Sequence, residues 1–129
     1  MLSGEITIRV RYAETDRMGL LHHANYLIYF EQARTELLRG LGITYKELED
    51  RGYYLVVAKL NVKFRKPVHY DDVLTIRTTE TKASPVRLEH QYDVYRNGEL
   101  VCIGHTTLGC VDKQGTIQHL PDWLSASKS

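Results

Sequence analysis

The stretch YLIYFEQARTELLRGLG, from Tyr26 to Gly42, predicts the helix around which the rest of the fold is built. It is apolar on nearly all sides through Phe30 and amphipathic afterwards, where Ala33 and Leu37 continue the apolar stripe. This pattern is typical of a helix whose N-terminal half is buried most deeply. Glycines at positions 40 and 42 supply the stop signal.

The segments on either side of this helix supply the remaining elements. A strand is predicted before it, from Ile6 to Tyr12, and a short helix after it, capped by Thr44 and ended by Gly52. Alternating apolar and polar residues predict four further strands, mostly antiparallel. This order, without repeats or an internal linker, predicts one α+β domain over residues 1–129, a curved sheet around one buried helix.

The dipeptide Asn97-Gly98 is a strong signal for a two-residue hairpin between the last two strands. With that turn, Val94 is expected to face Val101 and Tyr92 to face Ile103. Apolar side chains then meet on one side of the sheet, which supports this register.

Composition excludes several classes of partner. Seventeen Lys and Arg against sixteen Asp and Glu leave a formal charge of +1, so no global field favours nucleic acid or an acidic membrane. No run approaches the roughly 20 apolar residues that span a bilayer, so we expect a cytoplasmic protein without integral membrane association. Cys102 and Cys110 lie in one predicted strand, about 26 Å apart, and are expected to be reduced and buried.

The segment YAETDRMGLLHHANY, from Tyr12 to Tyr26, concentrates ionisable groups directly before the helix. A turn at Met18-Gly19 would bring Asp16 back towards His23, beside the free N–H groups of a helix start. A carboxylate, an imidazole and such donors suit acyl transfer. Three alternatives stay open: Asp16 as a turn cap, the histidines as structural residues, and a metal site that includes His22.

This segment and the helix after it resemble the hot-dog-fold acyl-CoA thioesterases of the 4-hydroxybenzoyl-CoA thioesterase-like class. The resemblance is strongest to the small bacterial branch associated with the Tol-Pal gene cluster. It runs along the whole chain, through ARTELLR and VKFRKPVHYDDVLTI, and departs from the branch pattern at Glu14 and His22. The matching positions are Tyr12, Asp16, His23, Ala24, Asn25 and Tyr26.

The resemblance implies a five-stranded, mostly antiparallel sheet wrapped around one long buried helix. It implies that Asp16 is the catalytic carboxylate, as nucleophile or general base, and that the backbone N–H of His23 binds the oxyanion. The side chains of His23 and Tyr12 would orient substrate or water, while Asn25 and Tyr26 would contact substrate. A homodimer or homotetramer with acyl-CoA at the subunit interface is also implied, and neither metal nor cofactor is expected.

A row of basic residues in the second strand is a further candidate site. Lys63 and Arg65, with Lys59 and Lys66, are positioned to bind the phosphates of coenzyme A, although a solvated strand face explains each of them equally well. We therefore expect hydrolysis of acyl-CoA to a free acid and coenzyme A, with acyl carrier protein as an alternative carrier. The competing functions are a non-catalytic acyl-binding module and a hydroxyacyl-thioester dehydratase that uses Glu31.

Overall fold

The computed structural model describes residues 2–125, which form one sheet, one long helix and two short helices. The strands pair antiparallel throughout, in the order β1-β3-β4-β5-β2, so β1 and β2 are the sheet edges. The predicted α+β hot-dog fold is confirmed. The elements are β1 (Ser3–Arg9), α1 (His23–Arg39), α2 (Tyr45–Asp50), β2 (Tyr54–Phe64), β3 (Val73–Ala83), β4 (Arg87–Arg96), β5 (Glu99–Val111) and α3 (Asp122–Ser125).

One face of α1 packs on the sheet and forms the main core. Phe30 is fully buried and its ring stacks on Tyr92 of β4, with 4.5 Å between ring centroids. Directly opposite Tyr92 lies Gly104 of β5, and a Cβ atom there would come within 2.5 Å of Phe30 Cζ. The helix therefore sits close to the sheet because position 104 carries no side chain.

The structure corrects two boundaries at the N-terminal side. The helix begins at His23, earlier than the apolar pattern indicated, and Leu27 and Ile28 remain exposed, so its first half is not buried on all sides. The first strand ends at Arg9, and Tyr12 opens a single 3-10 turn instead of ending that strand. That turn is held by the side chain of Glu14, a tertiary contact that strand alternation does not reveal.

The predicted Asn97-Gly98 turn is confirmed, since both residues have positive φ angles. The register beyond it was wrong, because Val94 faces Cys102 and Tyr92 faces Gly104. Val101 is an extra residue in β5, and its carbonyl accepts hydrogen bonds from the backbone N–H groups of residues 65 and 66, at 2.9 and 3.1 Å. This bulge is fixed by the chain that follows β2, which local strand patterns do not contain.

The remaining local predictions hold. Thr44 caps α2 by accepting from the N–H of Glu47 at 3.1 Å, and Gly52 follows the helix with a positive φ. Cys102 and Cys110 are free and buried, and burial raises the pKa of the Cys102 thiol to about 12. Within residues 2–125, no helix has the length and apolar character needed to cross a bilayer.

Candidate active site

Asp16 caps a tight loop in front of α1. Its Oδ1 atom accepts the backbone N–H groups of Met18, at 2.8 Å, and Leu20, at 3.1 Å. Gly19 completes the loop with a φ of 78°, so the turn predicted at Met18-Gly19 is confirmed. The carboxylate is exposed and accepts hydrogen bonds from its own loop, and among the described residues it has no hydrogen bond or ion pair with His23.

A second loop on the molecule has the same hydrogen bonds. Asp112 accepts the backbone N–H groups of Gln114 and Thr116 through one oxygen, both at 2.9 Å, and Gly115 has a φ of 86°. Capping alone therefore accounts for the side-chain bonds of both aspartates. What sets Asp16 apart is its position at the start of α1.

The two adjacent histidines have different structural roles at the helix start. The Nδ1 atom of His22 accepts the backbone N–H of Ala24 at 3.1 Å, so His22 is the N-cap. The His23 ring stacks on it, with 4.3 Å between centroids, and is exposed. Because His23 is the first helical residue, its backbone N–H has no partner inside the helix. Among residues 2–125, no three His, Cys, Asp or Glu side chains are grouped so that they could hold a metal ion, and this includes Asp16 and the two histidines.

Glu14 is a buried carboxylate that the sequence pattern marked only as a departure from the family. It accepts the N–H of Arg11 at 2.8 Å and the hydroxyl of Tyr29 at 2.7 Å. Burial alone would raise the pKa of Glu14, but these bonds and the Arg11 guanidinium outweigh it and lower the pKa. Burial and the adjacent carboxylate raise the pKa of Tyr29. The pair ties the loop to α1 and fixes the helix start.

A cleft of about 280 Å³ opens between the start of α1 and the end of β2. It brings together four of the residues named from the sequence, which are His23, Tyr26, Arg65 and Lys66. Tyr26 is buried and meets Phe64 edge to face, with 5.3 Å between ring centroids. The cleft thus combines helix-start donors, two cations and aromatic walls.

The other predicted residues lie outside this cleft. Tyr12 is exposed and packs edge to face against Tyr70, and the Asn25 side chain donates to the backbone oxygen of Glu14 at 3.1 Å. Lys63 is exposed on β2. Asp16 is next to the cleft, because its side chain accepts a hydrogen bond from the backbone N–H of Leu20, which lines the cleft.

Two separate hollows follow one another along α1 and β2: the cleft, and a mainly apolar hollow of about 200 Å³. We call the two together the α1–β2 crevice, and the second hollow its middle part. Beyond it, a small inner cavity lies under the C-terminal half of α1. The middle part is lined by Leu27, Ile28, Phe30, Glu31, Arg34, Val57, Leu60 and Thr106.

Comparison with known proteins agrees with this architecture. The family model of the Thioesterase-like superfamily matches residues 10–127. The putative acyl-CoA thioesterase YneP of Bacillus subtilis is 37% identical over 125 residues, 92% of this chain and 91% of YneP. The acyl-CoA thioesterase YbgC of Haemophilus influenzae is 32% identical over 106 residues, 81% of this chain and 78% of YbgC.

A solved structure extends the likeness to three dimensions. The DHNA-CoA thioesterase from Staphylococcus aureus superposes with a TM-score of 0.93 at 33% sequence identity. The match covers 99% of this chain and 90% of that protein, so it includes the sheet, α1 and the loop before it.

Proposed function

Since this chain belongs to the Thioesterase-like superfamily, we propose that it is an enzyme that hydrolyses acyl-CoA thioesters to free acids and coenzyme A. The observation that carries the proposal is the cleft in which the start of α1 meets Arg65 and Lys66. A helix start suits the carbonyl oxygen of a thioester, and the two cations suit the phosphates of coenzyme A.

In this proposal Asp16 supplies the reacting carboxylate. Either it attacks the thioester carbon, releasing the coenzyme A thiolate and leaving an anhydride that water hydrolyses, or it takes a proton from the water that attacks. The backbone N–H of His23 donates to the oxygen that becomes negative. The side chains of His23 and Tyr12 orient substrate or water, and Asn25 and Tyr26 support the substrate.

We also infer that the chain falls in the 4-hydroxybenzoyl-CoA-like class and its Tol-Pal-associated branch. The spacing of Tyr12, Asp16 and His23, followed by Ala24, Asn25 and Tyr26, supports this finer assignment. A cytoplasmic location and acyl carrier protein as an alternative carrier stay predictions from the sequence.

We further propose that two copies of the chain pair through β2, with a tetramer as the larger assembly. β2 is an edge strand of 11 residues, so its outer N–H and C=O groups lack strand partners. Four apolar side chains of this strand are exposed: Val57, Leu60 and Phe64 on the α1 side of the sheet, and Val56 on the opposite face. Pairing would cover the first three together with Leu27 and Ile28 of α1.

A panel of acyl-CoA substrates tests the proposed activity. Release of free thiol, followed with a thiol reagent, is the expected result, and it should survive exhaustive treatment with EDTA. A hydroxyacyl-CoA in the same panel separates the alternatives: a new conjugated double bond without thiol release indicates a dehydratase. Binding without either reaction indicates an acyl-binding module, and both results contradict the proposal.

A further inference from the structure

The α1–β2 crevice has an order along both elements that suggests how an acyl chain lies in it. The cleft at one end is lined by His23 of α1 and Phe64 of β2, and the middle part by Leu27 and Leu60. From His23 towards Arg34 the residue numbers rise along α1, whereas along the adjacent β2 they fall from Phe64 towards Val57. The two elements therefore stay side by side as far as Arg34. A chain attached to a thioester at His23 therefore meets apolar walls as it extends along the helix.

Arg34 closes the apolar part of the crevice. It lines both the middle part and the inner cavity of about 20 Å³ behind it. That inner cavity also presents Tyr45, Glu80 and His90 among leucine side chains. Next to Arg34, the Tyr92 hydroxyl and the Oγ1 of Thr106 share a hydrogen bond of 2.7 Å. The apolar middle part of the crevice is thus followed by a polar cluster, which a plain hydrocarbon end does not need.

His90 gives this cluster an unused hydrogen-bonding atom. The side chain is only 5% exposed, and its Nδ1 atom has no hydrogen-bond partner among the described residues. A buried polar atom without a partner is costly, and His90 lines the inner cavity, so this atom points to a ligand group that completes it.

The charges in the cluster indicate which group fits. Burial, Arg34 and His105 lower the pKa of His90 to about 4, so this imidazole is neutral at pH 7. Burial lowers the pKa of Arg34, but contacts with Tyr92 and Tyr45 raise it overall, so the guanidinium stays charged. Glu80 also lines this inner cavity, so a carboxylate ligand would lie beside another carboxyl group. A neutral group that both donates and accepts, such as a hydroxyl, suits this mixture better than a carboxylate.

The distance between the helix start and Arg34 sets the length of the acyl group. Arg34 follows His23 by 11 residues, which is about 16 Å along the helix axis. An acyl group with a single aromatic ring, held at the helix start, does not span this distance, whereas an extended aliphatic chain does.

We propose that Arg34, together with Tyr45 and His90, binds a hydroxyl group at the far end of a long aliphatic acyl chain. This inference rests on the proposed thioesterase function and adds the substrate class. Arg34 is then a specificity-determining residue, and His90 and Tyr45 complete its hydrogen bonds.

The test compares matched substrates. For the wild-type protein, kcat/KM for ω-hydroxyacyl-CoA should exceed that for the unsubstituted acyl-CoA of equal chain length by about ten-fold or more, the effect of one hydrogen bond to a charged group. Arg34→Met should bring this ratio to about one, and Tyr45→Phe should reduce it. Arg39→Met is the matched control, because Arg39 lies on the same helix, is exposed and pairs with Glu36, so the ratio should persist.

The ratio is measured within each variant, so a general loss of activity cancels. If Arg34→Met does not fold, the kcat/KM ratio of the wild-type protein and its decrease in Tyr45→Phe still test the inference. Hydrolysis of both substrates with equal kcat/KM, a preference for the ω-carboxyl analogue, or a ratio that survives Arg34→Met overturns this inference and leaves the thioesterase function intact. Failure to hydrolyse any acyl-CoA overturns the proposed function and this inference with it.

Discussion

Asp16 and Asp112 form a natural pair for testing catalysis against structure, because both cap a loop through the same backbone bonds. In Asp16→Asn the remaining oxygen still accepts those bonds, but the nucleophile or base is lost, so kcat should fall by at least about 10²-fold while KM changes far less. Asp112→Asn should leave both constants unchanged. Steady-state kinetics, with circular dichroism to verify folding, check the pair.

Equal kinetic constants for the two variants would show that Asp16 only caps its loop.

His23→Ala should lower kcat less than Asp16→Asn does, because the proposed oxyanion contact comes from the backbone N–H, which the substitution keeps.

The basic residues near the cleft provide a second prediction at this scale. Replacing Lys63 and Arg65 together by Ala should raise KM for acyl-CoA by about ten-fold and leave acyl-pantetheine, which lacks the nucleotide phosphates, nearly unaffected. We expect Arg65 to contribute most, because it lines the cleft with His23. Lys113→Ala, in an exposed distant loop, is the control. Equal effects on both substrates would assign these side chains to folding or assembly.

The site was only partly predictable from the sequence. The sequence placed His23 directly before the predicted helix, and the glycine at position 19 indicated the loop that Asp16 caps. The loop pattern did not reveal Glu14, whose role depends on a hydroxyl 15 positions later in the chain. Nor did spacing show that Arg65 turns into the cleft, since that depends on its backbone bond to Val101.

At the scale of elements, the close approach of α1 to β5 predicts a large effect of a small change. Gly104→Ala places a methyl group against the buried Phe30 ring, so the free energy of unfolding should fall by at least about 2 kcal/mol. Gly109→Ala in the same strand is the control, because nothing lies within 4 Å of its added Cβ, and its effect should stay below about 1 kcal/mol. Denaturant titrations of both variants measure this, and similar losses would refute the packing argument.

The sequence predicted the types of the elements more accurately than it predicted how the strands pair. Periodicity, the Thr44 cap and the Asn97-Gly98 turn act over a few residues, and the structure confirms each of them. The β4–β5 register instead depends on a bulge at Val101 that is bonded to a distant segment, and alternation along one strand cannot report such a contact.

At the scale of the whole molecule, the exposed apolar side chains of β2 predict that assembly and activity are linked. Val57→Glu should weaken self-association by at least about 100-fold, because Val57 is on the α1 side of the sheet and pairing would then bury an unpaired carboxylate. Activity should fall with it, since the α1–β2 crevice would stay open to solvent. Thr7→Glu on β1, the opposite edge, is the control and should preserve both. Light scattering coupled to sizing, with activity measured on each fraction, checks the prediction; a fully active monomer would contradict it.

The two unequal sheet edges have a consequence for how copies of this chain can add to one another. Pairing β2 with β2 is isologous: a two-fold axis uses up the same edge on both copies and the assembly closes. Pairing the 7-residue β1 with a β2 edge would be heterologous and would leave a free edge at each end, so copies could add without limit. The proposed symmetric dimer occupies β2 on both copies, so it would also block growth into fibres.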